Sequence, residues 1–332
     1  MDGVIEGRAP VPNSPLVSVV IPTYNRSRLL MRALESVLSQ EGVALEVTVV
    51  DDGSTDDTEE AVARLDDPRI RFVSHAQNLG GSAARNTGIG MATGGYVAFL
   101  DSDDEWLPGK AASQAALLVA RPEVGVVYCG FRTVDEGMAL TIEREVEVHR
   151  GDLFNDLLGG WCPDTTSMTM VRRDLLIDVG AFDAGLTGFQ DYDLLLRLSR
   201  LTELDLVEKP LVVKHEHGGG QLTTDTDGRL RALDVFMNKW RTEIERVHGP
   251  EAVARVRSEQ HRRIVELSIV QALRSGRRLT AWRHYPLLLR LCLVSGISLS
   301  GIKLCLSPLP GLVFGFRTYA RARRALRRLQ GE

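Results

Sequence analysis

Apolar positions along this 332-residue chain follow two rhythms, and the rhythm changes once. In the first half, short Val- and Ile-rich runs alternate with stretches whose Leu, Ala and Val fall three and four residues apart. Val17 to Ile21 (VSVVI), Glu46 to Val50, Ile70 to Val73, Tyr96 to Leu100 and Gly125 to Cys129 read as strands. Arg28 to Gln40 reads as a helix, because Leu29, Leu30, Ala33, Leu34, Val37 and Leu38 gather on one side, and Thr55 to Leu65 and Ser82 to Met91 read as two more. Near-continuous apolar strands separated by helices predict an α/β fold, a Rossmann-like, mostly parallel sheet with helices on both faces. Sheets of that kind bind ligands beyond the carboxyl ends of their strands. From about Gln221 the pattern becomes helical throughout, as in Glu251 to Ser275 and Leu279 to Ser295, linked by Gly276. The chain therefore divides into a tail of residues 1–15, an α/β domain of residues 16–224 and a helical region of residues 225–332.

Composition narrows the class only modestly. Hydrophobic residues at 44% and charged residues at 25% fit an ordinary globular protein, and a net charge of −4 argues against a nucleic-acid partner. The four cysteines, Cys129, Cys162, Cys292 and Cys305, form no Cys-x-x-Cys pair and read as free thiols in a reducing compartment. The opening MDGVIEGRAPVPNSP has no apolar core of a signal peptide, so a cytoplasmic location is expected. Leu287 to Phe316 is apolar, but Arg290, Lys303, Pro308 and Pro310 cut it into uncharged runs shorter than the ~20 residues of a spanning helix. Two readings stay open there. One is peripheral association, a helix lying in the inner face of the cell membrane with the six arginines of Arg317 to Glu332 toward anionic lipid. The other is a helical subdomain with a solvated basic end.

Candidate chemistry sits in three polar loops at strand ends, PTYNR, DDGSTDD and DSDDEW. The last packs Asp101, Asp103, Asp104 and Glu105 into five residues behind an apolar run. Carboxylates this close raise one another's pKa unless cations or hydrogen-bond donors compensate, so the loop is either fully wet or holds a cation. Asp101 and Asp103 can bracket a hard ion such as Mg2+ or Mn2+. Asp51 and Asp52 can accept hydrogen bonds from a ribose hydroxyl or a base. Between them, NLGGSAARNTGIG joins a glycine turn to Arg85, whose planar guanidinium suits phosphate or a base edge. A nucleoside diphosphate satisfies all these groups together.

The segments VSVVIPTYNR, VVDDGSTDDT, NLGGSAARNTGI, VAFLDSDDEW and GAFDAGLTGFQDYDLLLRL, in this order, resemble the family 2 glycosyltransferases, enzymes of the A-type glycosyltransferase fold that use nucleotide-sugar donors. The resemblance spans roughly Val17 to Thr224. It implies that Pro22, Thr23 and Tyr24 line the nucleoside pocket, that Asp51 or Asp52 or both hold the base or ribose, and that Arg85 contacts the nucleotide. It gives Asp101 to ribose or metal and Asp103 to metal, with a divalent Mn2+ or Mg2+ as cofactor. The family's catalytic base lies in a Glu-Asp element matched by Gln190-Asp191, which makes Asp191 the base and leaves Asp193 structural. A histidine often helps hold metal or diphosphate in this fold, and His215 and His217 both follow an apolar strand; His217 is the candidate ligand. Trp161 and Cys162 fall where the family meets its acceptor.

The function so implied is metal-dependent, inverting transfer of a hexosyl group from a nucleotide sugar, UDP-linked, to a hydroxyl of a glycan or lipid-linked acceptor. A nucleotidyltransferase would need a glycine- and lysine-rich phosphate loop that PTYNRSRLL lacks. A dinucleotide-binding dehydrogenase would need its glycine fingerprint directly after a strand, and Gly88 to Thr93 is not so placed. An inactive nucleotide-sugar binding module would have no use for Asp101, Asp103 and Asp191 together.

Overall fold

The computed structural model describes residues 15–135, 140–143, 148–216 and 225–294. The elements in chain order are β1 (Leu16–Thr23), α1 (Ser27–Leu38), β2 (Ala44–Asp51), α2 (Thr58–Ala63), β3 (Ile70–Ser74), α3 (Gly81–Met91), β4 (Tyr96–Phe99), β5 (Asp104–Trp106), α4 (Lys110–Ala120), β6 (Val124–Asp135) and β7 (Leu140–Glu143). They continue as α5 (Phe154–Leu158), a 3-10 turn (Thr166–Met168), β8 (Met170–Arg172), α6 (Arg173–Asp178), α7 (Gln190–Leu198), β9 (Glu203–Glu216), α8 (Thr226–His248), α9 (Pro250–Arg274) and α10 (Arg278–Val294).

The fold is mixed α/β, built on one sheet of strand order β3-β2-β1-β4-β8-β6-β9-β5, with β7 added beside β6. From β3 to β4 all pairings are parallel. These are the strands whose apolar residues run nearly unbroken, and Val17, Val19, Val20, Ile21, Val49, Val50, Val97 and Ala98 are fully buried. Beyond β4 the sheet becomes mixed: β8 is antiparallel to both neighbours, while β9 runs parallel to β6 and antiparallel to β5. Strands β5 and β8 are three residues each, too short to leave a period in the sequence. Strand β9 carries Pro210 where its register with β6 slips at Gly130, the one kind of place a strand interior accepts proline.

Helix α3 lies against β1 closely enough that a Cβ on Gly88 would run into Val20. That contact gives Gly88 a packing role in the segment RNTGIG, with no dinucleotide needed to account for it.

The chain separates into two compact units. The first holds the sheet and comprises the residues up to Leu157, Cys162–Gly185 and Gln190–Glu216. The second comprises Leu158–Trp161, Leu186–Phe189 and the helices that follow Glu216. Within it, α8 buries Ala232, Leu233, Phe236, Met237, Trp240 and Ile244, and Phe189 stacks on Phe236 with ring centroids 5.2 Å apart. Asp225 caps α8 by accepting from Gly228 N at 2.9 Å, and Pro250 opens α9 after Gly249 in a left-handed conformation. The division falls after Glu216 against the boundary read at 224, and two short pieces of the stretch read as the α/β domain, Leu158–Trp161 and Leu186–Phe189, join the helices. No helix among the described residues is long and apolar enough to cross a membrane. The N-terminal tail and the stretch from 295 to the C-terminus, which includes most of Leu287 to Phe316, lie outside the described residues.

Candidate active site

Strands β1 and β2 pair in register so that Thr23 faces Asp51, and their loops leave the same rim side by side. Asp52 N donates to Thr23 O at 2.8 Å. Asn25, held at φ +51°, accepts from Thr55 N at 2.7 Å while its own N–H donates to Ser54 Oγ at 2.8 Å, so PTYNR and DDGST are stitched into one surface. Asp51 accepts from Ser54 N at 3.2 Å, from Ser54 Oγ and from Ser74 Oγ at 3.2 Å. Asp52 accepts from Leu79 N at 2.9 Å and Gly80 N at 2.7 Å, and meets His75 Nδ1 at 2.8 Å. Both carboxylates are buried, and apart from Ser54 their partners come from Ser74 and His75 at the end of β3 and from the backbone just before α3. Pro22 is half-buried and Tyr24 exposed, whereas Thr23 Oγ1 is buried with no protein partner.

The DSDDEW loop is held differently. Arg85, on α3, reaches Asp101 at 2.5 Å, and Thr165 and Thr166 hydroxyls donate to the same carboxylate at 3.2 and 3.3 Å. Arg26, from the loop before α1, meets Asp103 at 2.9 Å. Arg32, on α1, meets Glu105 at 2.9 Å, and His215, on β9, meets the same oxygen at 2.7 Å. Asp104 is buried and takes the Ser167 hydroxyl at 2.6 Å. Burial, reinforced by Asp101 and Asp103 and opposed by Lys214 and Ser167, pushes Asp104 up to about 8. Each carboxyl group thus has its own partner, drawn from a different part of the chain. That arrangement explains how so many acids fit behind a buried strand.

Ser167 is the centre of this support. Its hydroxyl also accepts from Asp101 N at 3.0 Å, and its carbonyl accepts from Trp106 Nε1 at 3.2 Å. Gln114, on α4, donates to the carbonyl of Met168 at 2.8 Å and is itself fixed by Lys110 Nζ at 2.7 Å. Sequence reasoning missed Thr165, Thr166 and Ser167, as well as Arg26 and Arg32. A polar TTS run directly before the apolar MTMV is the signal available for the first three.

Asp191 stands in the first turn of α7 and accepts from Tyr192 N at 2.9 Å. Burial raises its pKa and the charge of Asp101 adds to the rise, while the Tyr192 N–H and the Arg85 guanidinium oppose it. Asp191 lines a small cleft together with Thr165, Thr166, Phe99, Phe182 and Leu194. Arg85 packs over the Phe182 ring at 5.5 Å, and its Nε is buried without a partner. The structure thus brings Arg85, Asp101 and Asp191 within electrostatic reach of one another. Asp193 is fully buried and bonded to Arg197 at 2.9 Å, one turn on, which accounts for it structurally. Cys162 is half-buried in the first unit and Trp161 belongs to the second. His217 lies outside the described residues.

Among the described residues no three His, Cys, Asp or Glu side chains gather into a self-sufficient metal cage. Asp101 and Asp103 nonetheless suit an Mg2+ or Mn2+ site of the usual diphosphate type, in which one or two carboxylates share the ion with phosphate oxygens. The buried Thr23 Oγ1 and Arg85 Nε, both without protein partners, supply a hydroxyl and a cationic donor for a polar ligand at the same rim.

Residues 18–180 match the family described as Glycosyl transferase family 2. Among curated proteins, the chain is 48% identical over 96 residues to the succinoglycan biosynthesis protein ExoO of Rhizobium meliloti, a match over 29% of this chain and 28% of that one. It is 27% identical to the putative colanic acid biosynthesis glycosyl transferase WcaA of Escherichia coli, over 80% of this chain and 97% of the relative. Among solved structures, TarS 1–349 of S. aureus in complex with UDP-GlcNAc superimposes with a TM-score of 0.56 at 17% identity, covering 90% of this chain and 81% of that one. The mannosyltransferase PcManGT of Pyrobaculum calidifontis, in complex with GDP-Man and Mn2+, does so at 0.56 and 22% identity, covering 96% and 88%. The fold is that of the A-type glycosyltransferases. The chain belongs to glycosyltransferase family 2, and it is a glycosyltransferase.

Proposed function

We propose that this glycosyltransferase moves a hexosyl group from a UDP-sugar to a hydroxyl of a growing polysaccharide or glycolipid, with inversion and with Mn2+ or Mg2+ as cofactor, acting at the cytoplasmic side of the cell envelope. The observation that carries the proposal is the cluster of Arg85, Asp101 and Asp191 within electrostatic reach of one another, with burial raising the pKa of Asp191 from its ordinary value. Support for the acceptor class comes from the polysaccharide names of the two relatives, and for the donor class from the nucleotide sugars bound in the two neighbours.

In this reading Asp191 accepts the proton of the acceptor hydroxyl as its oxygen attacks the anomeric carbon, and the bond to the diphosphate breaks with its electron pair leaving on the diphosphate. A carboxylate positioned to take that proton contributes on the order of 10² to 10⁴ in rate, and its raised pKa makes it the better acceptor. Single displacement by one base inverts the anomeric centre. Arg85 holds the nucleotide and offsets the charge that develops on the leaving group. Asp101 and Asp103 would hold the divalent ion, which when bound supplies further neutralisation of that diphosphate. Thr23 offers the nucleoside its buried hydroxyl, beside Pro22 and Tyr24, and the DDGS loop contributes through Asp51 and Asp52.

A panel of nucleotide sugars with Mn2+ and a polysaccharide-repeat acceptor tests the reading. Asp191→Asn should keep donor binding and lose about 10² to 10⁴ in kcat. Full turnover by that variant removes Asp191 from the role, and donor binding without transfer by the wild type for every pair turns the reading to a binding module.

A further inference from the structure

Charge is distributed very unevenly along this chain. All but one of its 44 Asp and Glu residues precede Leu267, whereas 12 of its 40 Lys and Arg residues follow Glu266, where Glu332 is the sole acid. Helix α10 stands inside this basic stretch. Its inner side is fixed: Ala281, Tyr285 and Leu288 enter one buried cluster with Val265, Ile269 and Leu273 of α9. Its outer side is then set by the helical period. Leu279, Trp282, Arg283, Pro286 and Arg290 fall on one stripe, and all are exposed.

Leu279 is 87% exposed, the highest of the large hydrophobic residues described, and Trp282 is 44% exposed. Trp282 is also braced, with its ring edge-on to Tyr285 at 6.1 Å. Arg277 and Arg278 flank the stripe at the start of the helix and are likewise exposed. Scattered apolar residues on a surface need no explanation, but a leucine and a tryptophan one turn apart on an exposed face, flanked by arginines in a stretch of sequence without acids, do. An indole and an aliphatic chain at one depth, with guanidinium groups around them, match the boundary between acyl chains and anionic headgroups.

We infer that the outer face of α10 docks on an anionic lipid surface, with Leu279 and Trp282 inserted at the headgroup boundary and Arg277, Arg278, Arg283 and Arg290 facing phosphate. The occupant follows from charge: a neutral bilayer would satisfy the apolar pair but offer the exposed arginines no net negative surface, while a second copy of this chain would bring the same positive face against itself. The inference stands on this surface alone and is separate from the donor chemistry.

The test is co-sedimentation of the full chain with vesicles of phosphatidylcholine alone and of phosphatidylcholine mixed with phosphatidylglycerol. The wild type should sediment with the mixed vesicles only, should be released by raised salt, and should show a blue shift of Trp282 emission that Trp282→Phe removes. The double variant Leu279→Ser with Trp282→Ser alters exposed positions only, so it should fold, and it should bind the mixed vesicles about tenfold or more weakly. Absence of sedimentation with anionic vesicles overturns the inference. So does undiminished binding by the double variant, which would assign the contact to other basic residues, or a dimer in solution that this variant dissociates, which would make a second copy the occupant.

Discussion

Two acidic loops leave the same sheet, and they are balanced in opposite ways. In the DDGS loop, Asp51 and Asp52 spend themselves on neutral donors close by: Ser54, Ser74 and the N–H groups of Leu79 and Gly80, with His75 alongside. In the DSDDE loop, Asp101, Asp103 and Glu105 lean on arginines brought from α3, from the loop before α1 and from α1, with His215 of β9 beside Glu105. Backbone donors that are built into a turn cannot leave without unmaking it. Arginine side chains can swing away while the backbone stays, so the second loop is the one able to exchange its partners for a ligand's charge. The lesson is that the density of acids in a sequence does not by itself mark a ligand site; the origin of their partners does.

The contrast can be broken by substitution. The largest effect on ligand binding is expected from Arg85→Met, which removes the cation between Asp101 and Asp191 and should weaken nucleotide binding about a hundredfold, read by calorimetry. In the first loop the effect should appear in folding instead. Asp52→Ala leaves the Leu79 and Gly80 N–H groups without their acceptor and should cost about 2–5 kcal/mol in urea unfolding, whereas Asp103→Ala, which removes a partly exposed ion pair, should cost under about 1 kcal/mol. Equal losses for the two would erase the distinction.

Ser167→Ala should fall between them. It takes the hydroxyl from Asp104 and the acceptor from Asp101 N, a loss of about 1–3 kcal/mol, and it should raise the KM for donor more than it lowers kcat, because it loosens a loop that positions and does not itself react. A pH-dependent effect concerns Lys110. Burial holds this amine down at about 8, against 10.5 for an ordinary lysine, with Cys129 opposing the fall. Between those values the unfolded chain keeps a proton that the folded chain has released, so stability contributed by this group rises with pH across the window. Lys110→Met should flatten that rise, measured as urea midpoints at its two ends.

The parallel half of the sheet was legible because its strands are buried on both faces, so their apolar runs are continuous and the helices between them keep a clear period. The rest was harder for stated physical reasons. Three-residue strands such as β5 and β8 have no period, β5 is hidden inside the acidic loop itself, and β9 is interrupted by Pro210. Of the candidate site, the segments carrying Asp101, Asp103 and Arg85 were readable from type and spacing, and the structure brings Asp191 into reach of Arg85 and Asp101 across ninety or more residues of sequence. The supporting side chains were not readable. Ser167 and Gln114 are ordinary polar residues whose role depends on a long-range contact, and Arg26 gives no local sign that it meets Asp103.

The central claim, that the DSDD loop binds a divalent ion together with a nucleoside diphosphate, is tested most directly by titrating UDP and GDP into the wild type and Asp103→Ala in the calorimeter, with Mn2+ and with a chelator. Binding heat for at least one nucleotide in the wild type with Mn2+, lost both on chelation and in the variant, is the predicted result. Nucleotide binding of the same strength in Asp103→Ala, or none to the folded wild type in Mn2+, would contradict it.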